Sequence, residues 1–168
     1  MTALAGRRAQ LAALIRQYQR DIDAFDQAVA DRVGLSRTDL RCLDLVLELT
    51  VAGTAVTPRR LAEAAGLTPS TITSVLDRLE RAGYLRRIRE QGDRRQVRLQ
   101  LTATFAEVAE EIFGPVAAEG EAQLRQLSDA EAETLIAFFS HAHDQRVKRA
   151  QLIREQTAML AAADKEMP

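Results

Sequence analysis

Two consecutive segments decide the fold: Thr57-Pro-Arg-Arg-Leu-Ala-Glu-Ala-Ala-Gly66, and Leu67-Thr-Pro-Ser-Thr-Ile-Thr-Ser-Val-Leu-Asp-Arg-Leu-Glu-Arg-Ala-Gly83. The same start signal occurs twice. Thr57-Pro58 and Thr68-Pro69 each set a hydroxyl that can accept from free helix amides ahead of a proline, whose missing N–H costs nothing in a first turn. Gly66 and Gly83 supply the left-handed residue that closes a helix. Two helices joined by Gly66-Leu67 are predicted, as a helix-turn-helix requires. In the second, Ile72, Val75, Leu76 and Leu79 fall at i, i+3, i+4 and i+7 and form one apolar stripe. The inner face of the first is read as Leu61, Ala64 and Ala65.

Downstream of Gly83 the period changes from helical to alternating. Leu85–Glu90 and Val97–Leu101 read as two short strands around a polar Gly92-Asp93 turn. The second strand alternates well and the first poorly. Upstream, Leu11, Leu14, Tyr18, Ile22, Phe25 and Val29 mark a long amphipathic first helix ended by Gly34. Ser36-Arg-Thr-Asp39 resembles a capping box opening a second helix that ends near Gly53. After Thr102 the chain is helical again. Gly114-Pro115 is expected to kink or interrupt the fifth helix. Ser128-Asp-Ala-Glu131 caps a last helix running to about Leu160. The fold class is mainly α with a small β-hairpin wing. A winged helix-turn-helix is expected over 36–102, and a helical dimerisation region over 1–35 and 103–168.

Charge follows the same division. Residues 57–98 carry ten Arg against five acids, whereas 99–144 carry one Arg against nine acids. A net charge of -1 therefore hides a basic segment on an acidic scaffold; ordinary solvated helix surface is the alternative. With aromatics at 4% and no Trp, stacking on single strands is not expected. No apolar run approaches the roughly 20 residues that span a bilayer. Met1 to Gln10 lacks a secretory core, and a lone Cys42 fits a reducing cytoplasm, so a cytoplasmic protein with no membrane partner is expected.

Double-stranded DNA is the expected partner. A helix entering the major groove presents its first turns to base edges. Here those turns offer Ser70, Thr71, Thr73 and Ser74, followed by Arg78. Small hydroxyl side chains let the backbone approach, donate or accept, and bring a Thr methyl to a thymine methyl; surface and capping positions are the alternative. Arg59 and Arg60 sit in a first turn, where cations oppose the helix dipole, so phosphate contact or plain solvation accounts for them. At the hairpin tip, Arg94 suits insertion into the narrow minor groove. Arg95 is a further contact candidate, or pairs with Asp93 to hold the hairpin.

Residues 57–102 resemble the MarR family of winged-helix regulators. The likeness is carried by Thr68-Pro-Ser-Thr-Ile-Thr-Ser-Val-Leu-Asp-Arg-Leu-Glu-Arg-Ala-Gly83 and by Asp93-Arg-Arg-Gln-Val-Arg-Leu-Gln-Leu-Thr102, the latter like the family's wing. It extends more loosely over about 7–145. Phe105 departs from the pattern, which usually has Gly shortly after Leu-Thr. The resemblance implies an obligate homodimer with first and last helices intertwined. It also implies, in many members, a small-molecule effector that releases DNA, expected here between the first, second and fifth helices.

Other signals are weaker. His141 and His143 point to different faces of a helix and suit a surface or dimer interface better than a metal. Cys42 lies on an apolar face and reads as a buried, inert thiol. No cofactor, metal site or catalytic constellation is expected, so the chain does not read as an enzyme. The leading reading is a dimeric repressor on a palindromic operator. The rival is a winged-helix interaction module whose wing binds an acidic protein.

Overall fold

The structure, a computed structural model, describes residues 2–89 and 97–166. It divides into two compact units, Met1–Pro115 and Val116–Pro168, taken in turn here. Among the described residues the order is α1 (Thr2–Val33), α2 (Arg37–Val51), α3 (Pro58–Ala65), α4 (Pro69–Arg81), β1 (Leu85–Arg89), β2 (Val97–Leu101), α5 (Ala103–Leu124) and α6 (Asp129–Glu166). The mainly helical fold with a two-stranded hairpin matches the expectation.

In the first unit each helix start has a local cause. Ser36 caps α2, its hydroxyl accepting from the Asp39 amide at 3.2 Å while the Asp39 carboxylate accepts from the Ser36 amide at 3.0 Å. Thr57 and Thr68 cap α3 and α4 with Pro in the first turn. At Gly66 the chain takes φ 67°, a left-handed turn between the two helices that a side chain would strain. The α4 stripe closes the core: Ile72, Val75, Leu76 and Leu79 are buried against Cys42, Leu43 and Val46 of α2, Leu61 of α3, and Leu85 and Leu99 of the hairpin. On α3 the inward alanines are Ala62 and Ala65, while Ala64 is exposed. In so short a helix, spacing from Leu61 alone does not fix the buried arc.

β1 and β2 pair antiparallel with Leu85 opposite Leu101 and Arg87 opposite Leu99. β2 also ties back to the strand-like segment before α3, the Leu99 amide donating to the Val56 carbonyl at 2.8 Å. Thr102 locks the base of the hairpin, its hydroxyl donating to the Gly83 carbonyl at 2.6 Å. Phe105 packs against the core at the start of α5, so the bulky residue in place of a glycine fills space there. α5 runs through Gly114-Pro115 without interruption. Proline normally clashes with the Cβ of the residue before it, and Gly114 has none.

In the second unit Ser128 and Glu131 form the capping box of α6: the Glu131 carboxylate accepts from the Ser128 amide and hydroxyl at 2.9 and 2.6 Å. The helix continues to Glu166, past the expected end at Leu160. No glycine or proline interrupts it after Asp129. Phe138 and Phe139 make an edge-to-face pair with ring centres 5.4 Å apart.

Candidate nucleic-acid interface

With the apolar stripe of α4 buried, the opposite face must point outward. Ser70, Thr71, Thr73, Ser74, Asp77 and Arg81 are exposed along it. The four hydroxyls are not equivalent. The Thr68 cap oxygen accepts from the Thr71 amide and lies 3.0 Å from the Ser70 hydroxyl and 2.8 Å from the Thr71 hydroxyl. Thr73 instead donates to the Pro69 carbonyl at 3.0 Å, and Ser74 to the Ser70 carbonyl at 3.3 Å.

Arg78 stands apart from this group. Its guanidinium grips the Asp39 carboxylate, Nη2 donating to Oδ1 at 2.7 Å and Nε reaching both oxygens at 3.1 and 3.2 Å. Asp39 is 1% exposed, while the Arg78 side chain is 43% exposed. Burial works to raise the Asp39 carboxyl, but hydrogen bonds from Arg78 and Ser36 outweigh it and hold the group below the ordinary aspartate value. Arg78 therefore joins α4 to the start of α2, with a little under half of its side chain still facing solvent. Sequence spacing could not show this, because the partners are 39 residues apart.

A second clamp was also absent from the sequence reading. Arg87 on β1 donates to Asp77 at 2.8 Å and to Glu80, and its backbone amide donates to Glu80 at 2.8 Å. It fixes the base of the hairpin to the outward side of α4. The one available signal was the pair of acids on an otherwise basic segment.

Arg59 and Arg60 are exposed on α3. Arg59 donates to Glu63 at 2.9 Å, a local partner the sequence reading had not given it. Arg60 donates to the Ala55 carbonyl at 3.1 Å. Asp93, Arg94 and Arg95 lie outside the described residues.

Away from this face a cavity of about 690 Å³ opens between α1, α2 and the first half of α5. Leu40, Leu43, Leu47, Phe105 and Phe113 give it apolar walls, and Asp26, Arg37, Arg41 and Asp44 bring charge to it. Arg37 is already paired with Asp23 at 2.5 Å. Cys42 is buried and its thiol is pushed up by burial, against reactivity. Among the described residues no group of three His, Cys, Asp or Glu could hold a metal, and no helix is long and apolar enough to cross a membrane.

Comparison with known proteins agrees with this geometry. A sequence model of the MarR family matches residues 33–96. The uncharacterised HTH-type transcriptional regulator YcgE of Bacillus subtilis is 34% identical over 121 residues, covering 71% of this chain and 75% of that protein. The HTH-type transcriptional regulator PecS of Dickeya dadantii is 36% identical over 116 residues, covering 61% of this chain and 70% of its own. Among solved structures, S. aureus MepR in a DNA complex superposes with a TM-score of 0.58 at 18% identity, over 80% of this chain and 98% of that one. MepR bound to ethidium bromide gives 0.59 at 18%, over 80% and 94%.

Proposed function

The chain belongs to the MarR family of transcriptional regulators, and on that premise we propose that it binds a palindromic operator in double-stranded DNA as a homodimer and represses transcription. The observation that carries this is α4: one face sealed into the core, the other presenting small hydroxyls beside a hairpin. In this reading residues 36–102 are the DNA-binding domain. Ser70, Thr71, Thr73 and Ser74 meet base edges, Arg59 and Arg60 meet phosphates, and Arg94 and Arg95 act from the wing. Arg78 acts chiefly by holding α4 in place. Occluding a promoter needs no activation surface, which favours repression. A regulator of this kind works in the cytoplasm, by binding rather than catalysis.

The helices 1–35 and 103–168 form the dimerisation region in this reading. Leu11, Leu14, Tyr18, Ile22 and Phe25 on α1 are exposed, as are Leu135, Ile136, Phe138, Phe139 and Ile153 on α6. Apolar stripes of this length are not left to water in a stable protein. An effector fits the cavity between α1, α2 and α5, whose aliphatic and phenyl walls suit an apolar body and whose charged groups suit a polar end. MepR, which shares the fold, is known bound to ethidium bromide.

The test is selection of duplexes from a randomised pool with the full-length protein, followed by titration at several salt concentrations. A palindromic site with half-sites about 34 Å apart and a steep loss of affinity with salt are expected. Failure to enrich any duplex overturns the reading.

A further inference from the structure

We propose that Thr73 and Ser74 read DNA as hydrogen-bond acceptors, so that they select the exocyclic amino groups of adenine and cytosine in the major groove. This rests on the reading of α4 as the element that enters the groove. A hydroxyl has one hydrogen to give and two lone pairs to accept with. The Thr73 hydroxyl donates to the Pro69 carbonyl at 3.0 Å, and the Ser74 hydroxyl is directed to the Ser70 carbonyl at a longer 3.3 Å. Both bonds run back along the helix, one turn toward its start. The oxygens are on the exposed face, and what they still have to offer a partner outside the helix is lone pairs.

The other two hydroxyls differ in kind. Ser70 and Thr71 share the Thr68 cap oxygen, and in each pair either atom can donate. Their polarity can reverse to suit a base that donates or one that accepts. Thr73 and Ser74 can reverse only by giving up a bond to their own backbone. α4 thus carries two adaptable hydroxyls at its tip and two biased toward accepting one turn in, Thr73 at 3.0 Å from its carbonyl more strongly than Ser74 at 3.3 Å.

The major groove makes that distinction matter. Adenine and cytosine present amino donors there, while guanine presents a keto oxygen and a ring nitrogen, and thymine a keto oxygen and a methyl. An acceptor facing guanine's acceptors leaves both unsatisfied in a dry contact. Thr73 adds a methyl on the same carbon as its oxygen. An adenine whose neighbour or pairing partner places a thymine methyl alongside suits both of its faces.

The experiment uses the duplex that the full-length protein selects from a randomised pool. Selections with Thr73→Val, which keeps the shape and removes the oxygen, and with Ser74→Ala identify the base pairs each residue reads. At those pairs, adenine is replaced by purine, which lacks the amino group, or cytosine by 2-pyrimidinone. Wild-type affinity should fall about five- to tenfold, and Thr73→Val or Ser74→Ala should be indifferent to the same change. Thr73→Ser keeps the acceptor and should retain the sensitivity. Replacing a purine there by its 7-deaza form, which removes only a ring acceptor, should change nothing. The proposal is overturned if amino-group removal costs nothing at those pairs, if the 7-deaza form weakens binding instead, or if both variants select the wild-type sequence. If no duplex is enriched at all, the DNA reading itself has failed, which is a different result.

Discussion

Helices α4 and α6 both carry large apolar side chains, and those side chains end in opposite situations. In α4 four apolar side chains, Ile72, Val75, Leu76 and Leu79, are each no more than 1% exposed. In α6 Leu135, Ile136, Phe138 and Phe139 are between 40% and 65% exposed. The first helix completes its packing inside its own unit; the second leaves large apolar side chains exposed. Stability of the winged core should therefore be a property of one chain, and the order of α6 a property of the assembly. In the proposed reading the winged core supplies the DNA-contacting face and the dimerisation helices set the spacing between two copies of it.

The strongest way to break the contrast is a matched pair of truncations. Leu79→Ala should cost about 2–5 kcal/mol of unfolding free energy, because a fully buried side chain leaves a cavity the neighbours fill only in part. Ile136→Ala, measured like Leu79→Ala in the full-length protein, should cost less than about 1 kcal/mol, because most of that side chain is already in water. Denaturant titration followed by circular dichroism checks both. Equal losses at the two positions would show that α6 is packed as the core is.

A substitution aimed at the assembly comes next. Phe139→Asp places a charge on the apolar face of α6 and should shift the full-length protein from dimer toward monomer at micromolar concentration. In sedimentation the wild type should run near twice the 18.6 kDa chain mass. A variant that stays dimeric moves the interface off this face. Operator affinity should fall as the dimer is lost, since each half-site alone is weakly held.

Asp39 sharpens the comparison within the core. Asp39→Asn should cost about 2 kcal/mol, less than the loss of a wholly buried ion pair, because Arg78 is half in water and can rehydrate. The pH dependence has a defined sign. The folded carboxyl titrates below the ordinary aspartate value of 3.8, so its contribution is complete above that value. It is lost as the pH falls through the ordinary value toward the folded one. The wild type should destabilise in acid more steeply than Asp39→Asn in parallel melts. Arg78→Ala should weaken operator binding; a salt slope left nearly unchanged would assign the loss to displacement of α4 through the Asp39 pair, and a flattened slope would assign it to phosphate contact.

Which parts of this were legible in the sequence follows from the range of the forces involved. The caps at Ser36, Thr57, Thr68 and Ser128, and the α4 stripe, are set by neighbours within four residues, and spacing reveals them. Ala62 in place of Ala64 was missed because an eight-residue helix samples too little of the wheel. Asp39 read as part of a helix cap, which it is, and Arg78 as a DNA-contact candidate; the ion pair between them is an addition to both readings. Each was read by local rules, and only the fold brings them together. Arg87 was not singled out in the sequence, and the fold pairs it with Asp77 and Glu80. Gly114 removes one of the clashes that Pro115 brings to α5, a pairwise effect that a rule for proline alone overlooks.

The smallest expected effect lies in the two capping boxes, which share a chemistry and differ in surroundings. The Ser36 hydroxyl donates to a carboxylate that is buried and shared with Arg78. Its loss in Ser36→Ala removes a helix cap and one of the hydrogen bonds that hold the Asp39 charge, and should cost about 1 kcal/mol of global stability. Ser128 meets a carboxylate in water, where solvent replaces much of what is lost. Ser128→Ala should leave the melting of the winged core untouched and act only at the start of α6, where amide exchange should quicken over the first turn. If α6 is ordered by a second copy, that fraying should grow as the protein is diluted below its dimer dissociation constant. Fraying that is independent of concentration would mean that α6 holds its first turn without a partner, and the contrast between the two helices would then be one of exposure alone.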